Sequence, residues 1–140
     1  MMEGLDFKIV ISDFEENLDQ NKDPADYVLA TAQEKTRRVA EMMRDRDSQS
    51  QWLVIGADTI VSLGNEILEK PRDSAHALEM MKRLSGTRHQ VLTALCIHYK
   101  RQDGTIGIKK HVESTFVEFG SLSQELMQAY VDSGEPMYVH

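Results

Sequence analysis

The sequence predicts an α/β domain, a mixed sheet flanked by helices and folded as one unit. Three observations lead there. Short apolar runs of strand length interleave with longer stretches whose apolar residues recur at helical spacing. Glycine, proline and asparagine punctuate the junctions. The length of 140 residues, 41% hydrophobic and 28% charged, suits one modest globular domain and leaves little room for two.

Each element has its own local cause. Phe7–Ile11 is a short apolar run and reads as a strand. Asp23-Pro24 then opens a helix, Asp23 capping exposed amides and Pro24 suiting the first helical position. Tyr27, Val28, Thr31, Ala32, Val39 and Met43 carry that helix to about Arg44, and the polar stretch Asp45–Gln51 reads as a loop. Trp52–Ala57 is continuously apolar and too short for a helix, so a fully buried strand is expected, ending at Asp58. Ile60–Leu63 extends the run, and Gly64-Asn65 turns it into a short partner, Glu66–Leu68. Asp73 caps a second helix with Ala77, Leu78, Met81 and Leu84 on one face and Gly86 as its left-handed stop. Gln90–Tyr99 and Ile108–Phe119 read as strands joined by Gln102-Asp103-Gly104. Ser121-x-x-Gln124 resembles a capping box for a last helix ended by Gly134.

Charge and composition remove several function classes. A net charge of −7 argues against broad binding to a nucleic acid polymer, which needs clustered cations, but allows a small anionic substrate held by a few local lysines or a metal ion. No apolar run is long enough to cross a bilayer, and Met1-Met2-Glu3-Gly4 lacks the layout of a signal peptide, so no membrane partner is expected. The single cysteine, Cys96, lies in an apolar run and reads as a small buried hydrophobe; alone it forms no internal disulfide, so a cytoplasmic location is expected.

Among residues able to do chemistry, Asp58 stands out. A carboxylate at the end of a buried strand sits where open α/β sheets place their ligands, and it can hold a divalent cation or take a proton from water. In Glu69-Lys70-Pro71 the proline holds Lys70 in extended geometry, a compact charge suited to a phosphate oxygen. Asp13, Glu15 and Glu16 form an acidic cluster that is more often merely solvated, and Lys35, beside Arg37 and Arg38, reads on its own as surface charge. The five histidines show no metal-ligand spacing, and there is neither a glycine-rich phosphate loop nor a Ser/His/Asp set.

Taken in order, the segments Gly4-Leu5-x-Phe7, Phe14-Glu15-Glu16-Asn17, Thr31-Ala32-x-x-Lys35, Ile55-Gly56-Ala57-Asp58-Thr59-Ile60-Val61, Leu68-Glu69-Lys70-Pro71, Leu84-Ser85-Gly86, His89-Gln90-Val91-x-Thr93 and Ser133-Gly134-Glu135-Pro136 resemble the Maf family of nucleoside triphosphate pyrophosphatases. The resemblance is closest to the Maf domain that animals fuse to a methyltransferase-like domain. It implies the Maf/inosine-triphosphatase-like fold and metal-dependent attack of water on a nucleoside triphosphate, releasing the monophosphate and pyrophosphate. Asp58 would be the catalytic carboxylate, general base or metal-linked. Asp58 and Glu16 would hold a divalent metal, Mg²⁺ or alternatively Mn²⁺. Thr59, Lys70, Lys35 and Glu69 would contact the substrate, and Thr59 resembles the threonine of the dTTP/UTP-preferring subgroup. Family members are often dimers, so a homodimer is the expected assembly.

The family pattern also includes a Ser-x-Ser-x-Arg-Arg loop before Gly-Leu and an Asp-Lys-Ala-Gly run after Ser-Gly-Glu-Pro, and neither occurs in these 140 residues. The expectation is therefore a single partial domain over residues 1–140, lacking the first strand and helix and the C-terminal part, with weakened grip on phosphate. The alternatives are an inactive fragment of the family and a non-enzymatic interaction or dimerisation module using an exposed sheet edge.

Overall fold

The computed structural model describes residues 7–14, 18–20, 22–46, 51–68 and 70–134. Helix α1 spans Pro24–Arg46, followed by strands β1 (Trp52–Leu63) and β2 (Glu66–Leu68), helix α2 (Ser74–Leu84), strands β3 (Arg88–Lys100) and β4 (Ile106–Glu118), and helix α3 (Gln124–Asp132). The strands form one sheet in the order β2-β1-β3-β4. All three pairings are antiparallel, where a mixed sheet was expected. The reason is connectivity: β1 to β2 and β3 to β4 are hairpins, and α2 returns the chain to the other side of β1 running antiparallel to it.

The α1 start follows the reading of Asp23, whose Oδ2 accepts from the Ala25 amide at 3.2 Å. Asp73 caps α2 through the His76 amide at 2.8 Å, and Gly86 takes the positive φ of 67° that ends it. Helix α3 is capped by Ser123, not by Ser121: the Ser123 hydroxyl accepts from the Leu126 amide at 3.1 Å. Two serines precede the helix, and the one adjacent to its first turn wins. The β3–β4 turn forms at the expected residues, with Gly104 at φ 90° and Asp103 accepting from the Thr105 amide.

The core lies between α1 and one face of the sheet. Tyr27, Val28 and Ala32 from α1 meet Ile60, Ile67, Leu92, Ala94 and Cys96. Cys96 is fully buried, and burial pushes its thiol up, as expected of a structural cysteine. The α2–α3 pair is tied to the sheet end, where Gly86 N–H donates to the Gly120 carbonyl and the Leu122 amide to Ser85 Oγ.

Two expectations need correction. Phe7–Ile11 joins no sheet among the described residues, and Phe7, Ile9 and Ile11 are largely exposed. An apolar run supplies strand propensity, yet a strand exists only with a hydrogen-bonded neighbour. Nor is β1 buried on both faces: Leu53 and Ile55 are 59% and 49% exposed. Helix α1 covers one face there, and no described element covers the other.

Candidate active site

Strand β1 continues through Leu63, so Asp58 sits within the strand and not at its end. What singles out its position is the sheet edge. On one side β1 pairs with β3 from Trp52 to Ser62; on the other, β2 reaches only Val61, Ser62 and Leu63. Among the described residues the edge of β1 from Trp52 to Ile60 is open. Pairing stops close to Pro71, which has no amide hydrogen to donate and is buried. Asp58 and Thr59 therefore lie just past the point where the edge opens.

Helix α1 crosses this strand closely. Gly56 lies beneath Thr36, and a Cβ added at Gly56 would stand 2.0 Å from Thr36 Oγ1. A glycine inside a strand is the sequence signal for such an approach. One residue from Thr36 in the helix, Lys35 reaches down so that its Nζ lies 3.1 Å from Asp58 Oδ1. The Lys35 and Asp58 side chains are 25% and 12% exposed, so the carboxylate is largely desolvated and the ammonium beside it offsets that cost. The cations next to Lys35 are used otherwise. Arg37 binds Glu34 and Glu41, and Arg38 binds Asp13 at 3.1 Å. The Arg37 guanidinium holds the Glu34 carboxyl below the usual range. Position along α1 thus separates Lys35, which reads from composition as surface charge, from its arginine neighbours.

The other expected residues divide between the faces and the edge. Thr59 faces away from α1, and its hydroxyl lies 3.0 Å from that of Thr93, its neighbour on β3. Sequence reasoning placed Thr93 in a motif without seeing this contact; only the register reveals it. Lys70 is exposed and follows β2 by two residues. Leu68, the last residue of β2, pairs with Val61 of β1. Glu16 and Glu69 lie outside the described residues, as does Glu15 of the acidic cluster. Among the described residues no three His, Cys, Asp or Glu side chains gather as a metal site.

An open cleft of about 770 Å³ wraps the same edge below Asp58. Val39, Met43, Leu53 and Ile55 give it apolar walls, and Lys8 and Lys35 bring positive charge. An apolar cleft with a few cations, beside a carboxylate paired to lysine, suits an organic anion.

These features define a layered helix-and-sheet domain with a carboxylate–lysine centre on an open strand edge. The chain belongs to the Maf-like protein family, whose model matches residues 1–139. It is 42% identical over 139 residues to the human protein named probable bifunctional dTTP/UTP pyrophosphatase/methyltransferase, covering 96% of this chain and 22% of that one. It is 41% identical to a dTTP/UTP pyrophosphatase of Ruminiclostridium cellulolyticum, covering 94% of this chain and 64% of that enzyme. It is 40% identical to one of Neisseria meningitidis, covering 90% and 61%. The chain thus spans less than two thirds of the length of each of these relatives. No helix among the described residues is long and apolar enough to cross a membrane.

Proposed function

We propose that this chain carries the catalytic carboxylate of a nucleoside triphosphate pyrophosphatase that hydrolyses dTTP or UTP to the monophosphate and pyrophosphate. The observation that carries the proposal is the 3.1 Å Lys35–Asp58 contact at the open edge of β1, within Gly56-Ala57-Asp58-Thr59. The names of the relatives support the substrate class.

In this reading Asp58 takes a proton from the attacking water. A new phosphorus–oxygen bond forms as the bridge between the α- and β-phosphoryl groups breaks, and pyrophosphate leaves. Lys35 and Lys70 bring positive charge to phosphoryl oxygens, and donors placed where charge develops count for most in such reactions. Thr59 and Glu69 make the further substrate contacts. The donor chemistry fits a divalent ion: Mg²⁺ binds through one or two carboxylates together with waters and substrate phosphates, and Asp58 offers a hard oxygen, with Glu16 as the second proposed ligand. When bound, Mg²⁺ or Mn²⁺ polarises phosphoryl oxygens as a Lewis acid. A cytoplasmic homodimer completes the proposal.

Pyrophosphate release from dTTP, UTP and GTP, measured with Mg²⁺ and again with a chelator, tests it. The expected result is Mg²⁺-dependent release favouring dTTP or UTP by about tenfold or more. The absence of Mg²⁺-dependent release from every nucleotide refutes it.

A further inference from the structure

Adjacent residues of a strand point to opposite faces, so Asp58 and Thr59 divide between the two sides of β1. Asp58 turns toward Lys35 on α1, and Thr59 turns to the other face, where its hydroxyl lies 3.0 Å from that of Thr93. The two threonines stand directly opposite each other in the β1–β3 register. Their neighbours on that face are apolar: Ala57 and Val61 lie two residues either side of Thr59, and Val91 and Leu95 two residues either side of Thr93. Glu113, opposite Thr93 on β4, has its carboxylate 2.7 Å from His111 Nε2. The hydroxyl pair is thus a polar spot between apolar neighbours, one residue along the chain from the proposed catalytic carboxylate.

A threonine hydroxyl holds one proton and two lone pairs, and alone it rotates to suit any ligand. A second hydroxyl at hydrogen-bond distance removes that freedom. With Thr93 donating, Thr59 accepts on one lone pair and keeps its own proton to give away. Because Asp58 and Thr59 face opposite sides of the strand, a phosphoryl group held at Asp58 does not also meet the Thr59 hydroxyl, and Thr59 meets another part of the same nucleotide. We infer that Thr93 is a positioning residue for base choice: it orients the Thr59 hydroxyl as a donor to a carbonyl oxygen on the imide edge that thymine and uracil share. This role rests on the reading above, in which Thr59 touches the substrate, and Thr93 acts only through Thr59.

Steady-state hydrolysis of dTTP and dGTP by the full chain tests it, since these two nucleotides carry the same sugar and triphosphate and differ in the base alone. Valine at position 93 keeps the branched shape that suits a strand and loses the hydroxyl, whereas serine keeps the hydroxyl. Thr93→Val is expected to raise KM for dTTP by about fivefold, the contribution of one neutral hydrogen bond, with kcat held and dGTP little affected. Thr93→Ala carries the same expectation, and Thr93→Ser is expected to keep the wild-type preference. Thr59→Val is expected to lose that preference by itself, and adding Thr93→Val to it is expected to cost nothing further. Three results overturn the inference: a Thr93→Val variant with the wild-type preference, one that weakens dTTP and dGTP alike as a merely structural residue would, or a further loss of preference in the double variant. In each of these the wild type still hydrolyses dTTP, so the pyrophosphatase reading stands. A wild type that releases no pyrophosphate from any nucleotide refutes that reading, and the role of Thr93 falls with it.

Discussion

Lys35 and Asp58 are 23 positions apart in sequence and form one ion pair across the helix–sheet boundary. Replacing Lys35 with Met removes an ammonium that lies 3.1 Å from a carboxylate only 12% exposed. A charged hydrogen bond at a partly buried site contributes on the order of 1.5–3 kcal/mol. Lys35→Met is therefore expected to lower the urea midpoint by a stability loss of roughly that size with an unchanged slope; an unchanged midpoint would show that the pair contributes nothing to the fold. His98 gives a second residue-scale test. It is buried against α1, and burial, with the positive charges of Arg44 and Arg37, holds its imidazole below the ordinary value. The unfolded chain then binds a proton at higher pH than the folded one. Stability is accordingly full above about pH 6.5, falls as pH drops from there toward the folded value, and levels off below it. Urea midpoints followed from pH 8 to pH 5 are expected to show that fall in the wild type and to lose it in His98→Gln.

At the scale of elements, the approach of α1 to β1 sets the position of the pair. Gly56→Ala drives a methyl group into Thr36 Oγ1, and overpacking of this kind costs about 1–3 kcal/mol. Thermal unfolding is expected to show a lowered Tm for Gly56→Ala and partial recovery when Thr36→Ala is added, because the second change removes the clashing oxygen. Two strictly additive losses would mean that the helix is not held by this contact. The sequence holds a signal for this part of the site that its reading leaves unused, a glycine inside an apolar strand. The helices were legible for similar local reasons, with Asp23, Asp73, Gly86 and Gly134 all acting as read. What escaped the sequence depends on pairing. The exposure of Phe7–Ile11, the antiparallel sheet and the Thr59–Thr93 hydroxyl contact follow from which strands lie side by side, and local periodicity carries no such information. From the sequence Asp58 reads as a strand-end carboxylate. Its distinction in the structure is that β2 stops short and, among the described residues, leaves the strand edge beside it open.

For the whole molecule, a four-stranded antiparallel sheet is covered on one face by α1, and the proposed catalytic pair lies where, among the described residues, its near edge opens. The central claim is that Asp58 carries the reaction, and turnover of dTTP by Asp58→Asn relative to the wild type, in saturating Mg²⁺, tests it most directly. A positioned general base typically contributes 10²–10⁴-fold, so kcat is expected to fall by about 100-fold or more while the circular dichroism spectrum is unchanged. A kcat within about threefold of the wild type, well short of that range, would contradict the account.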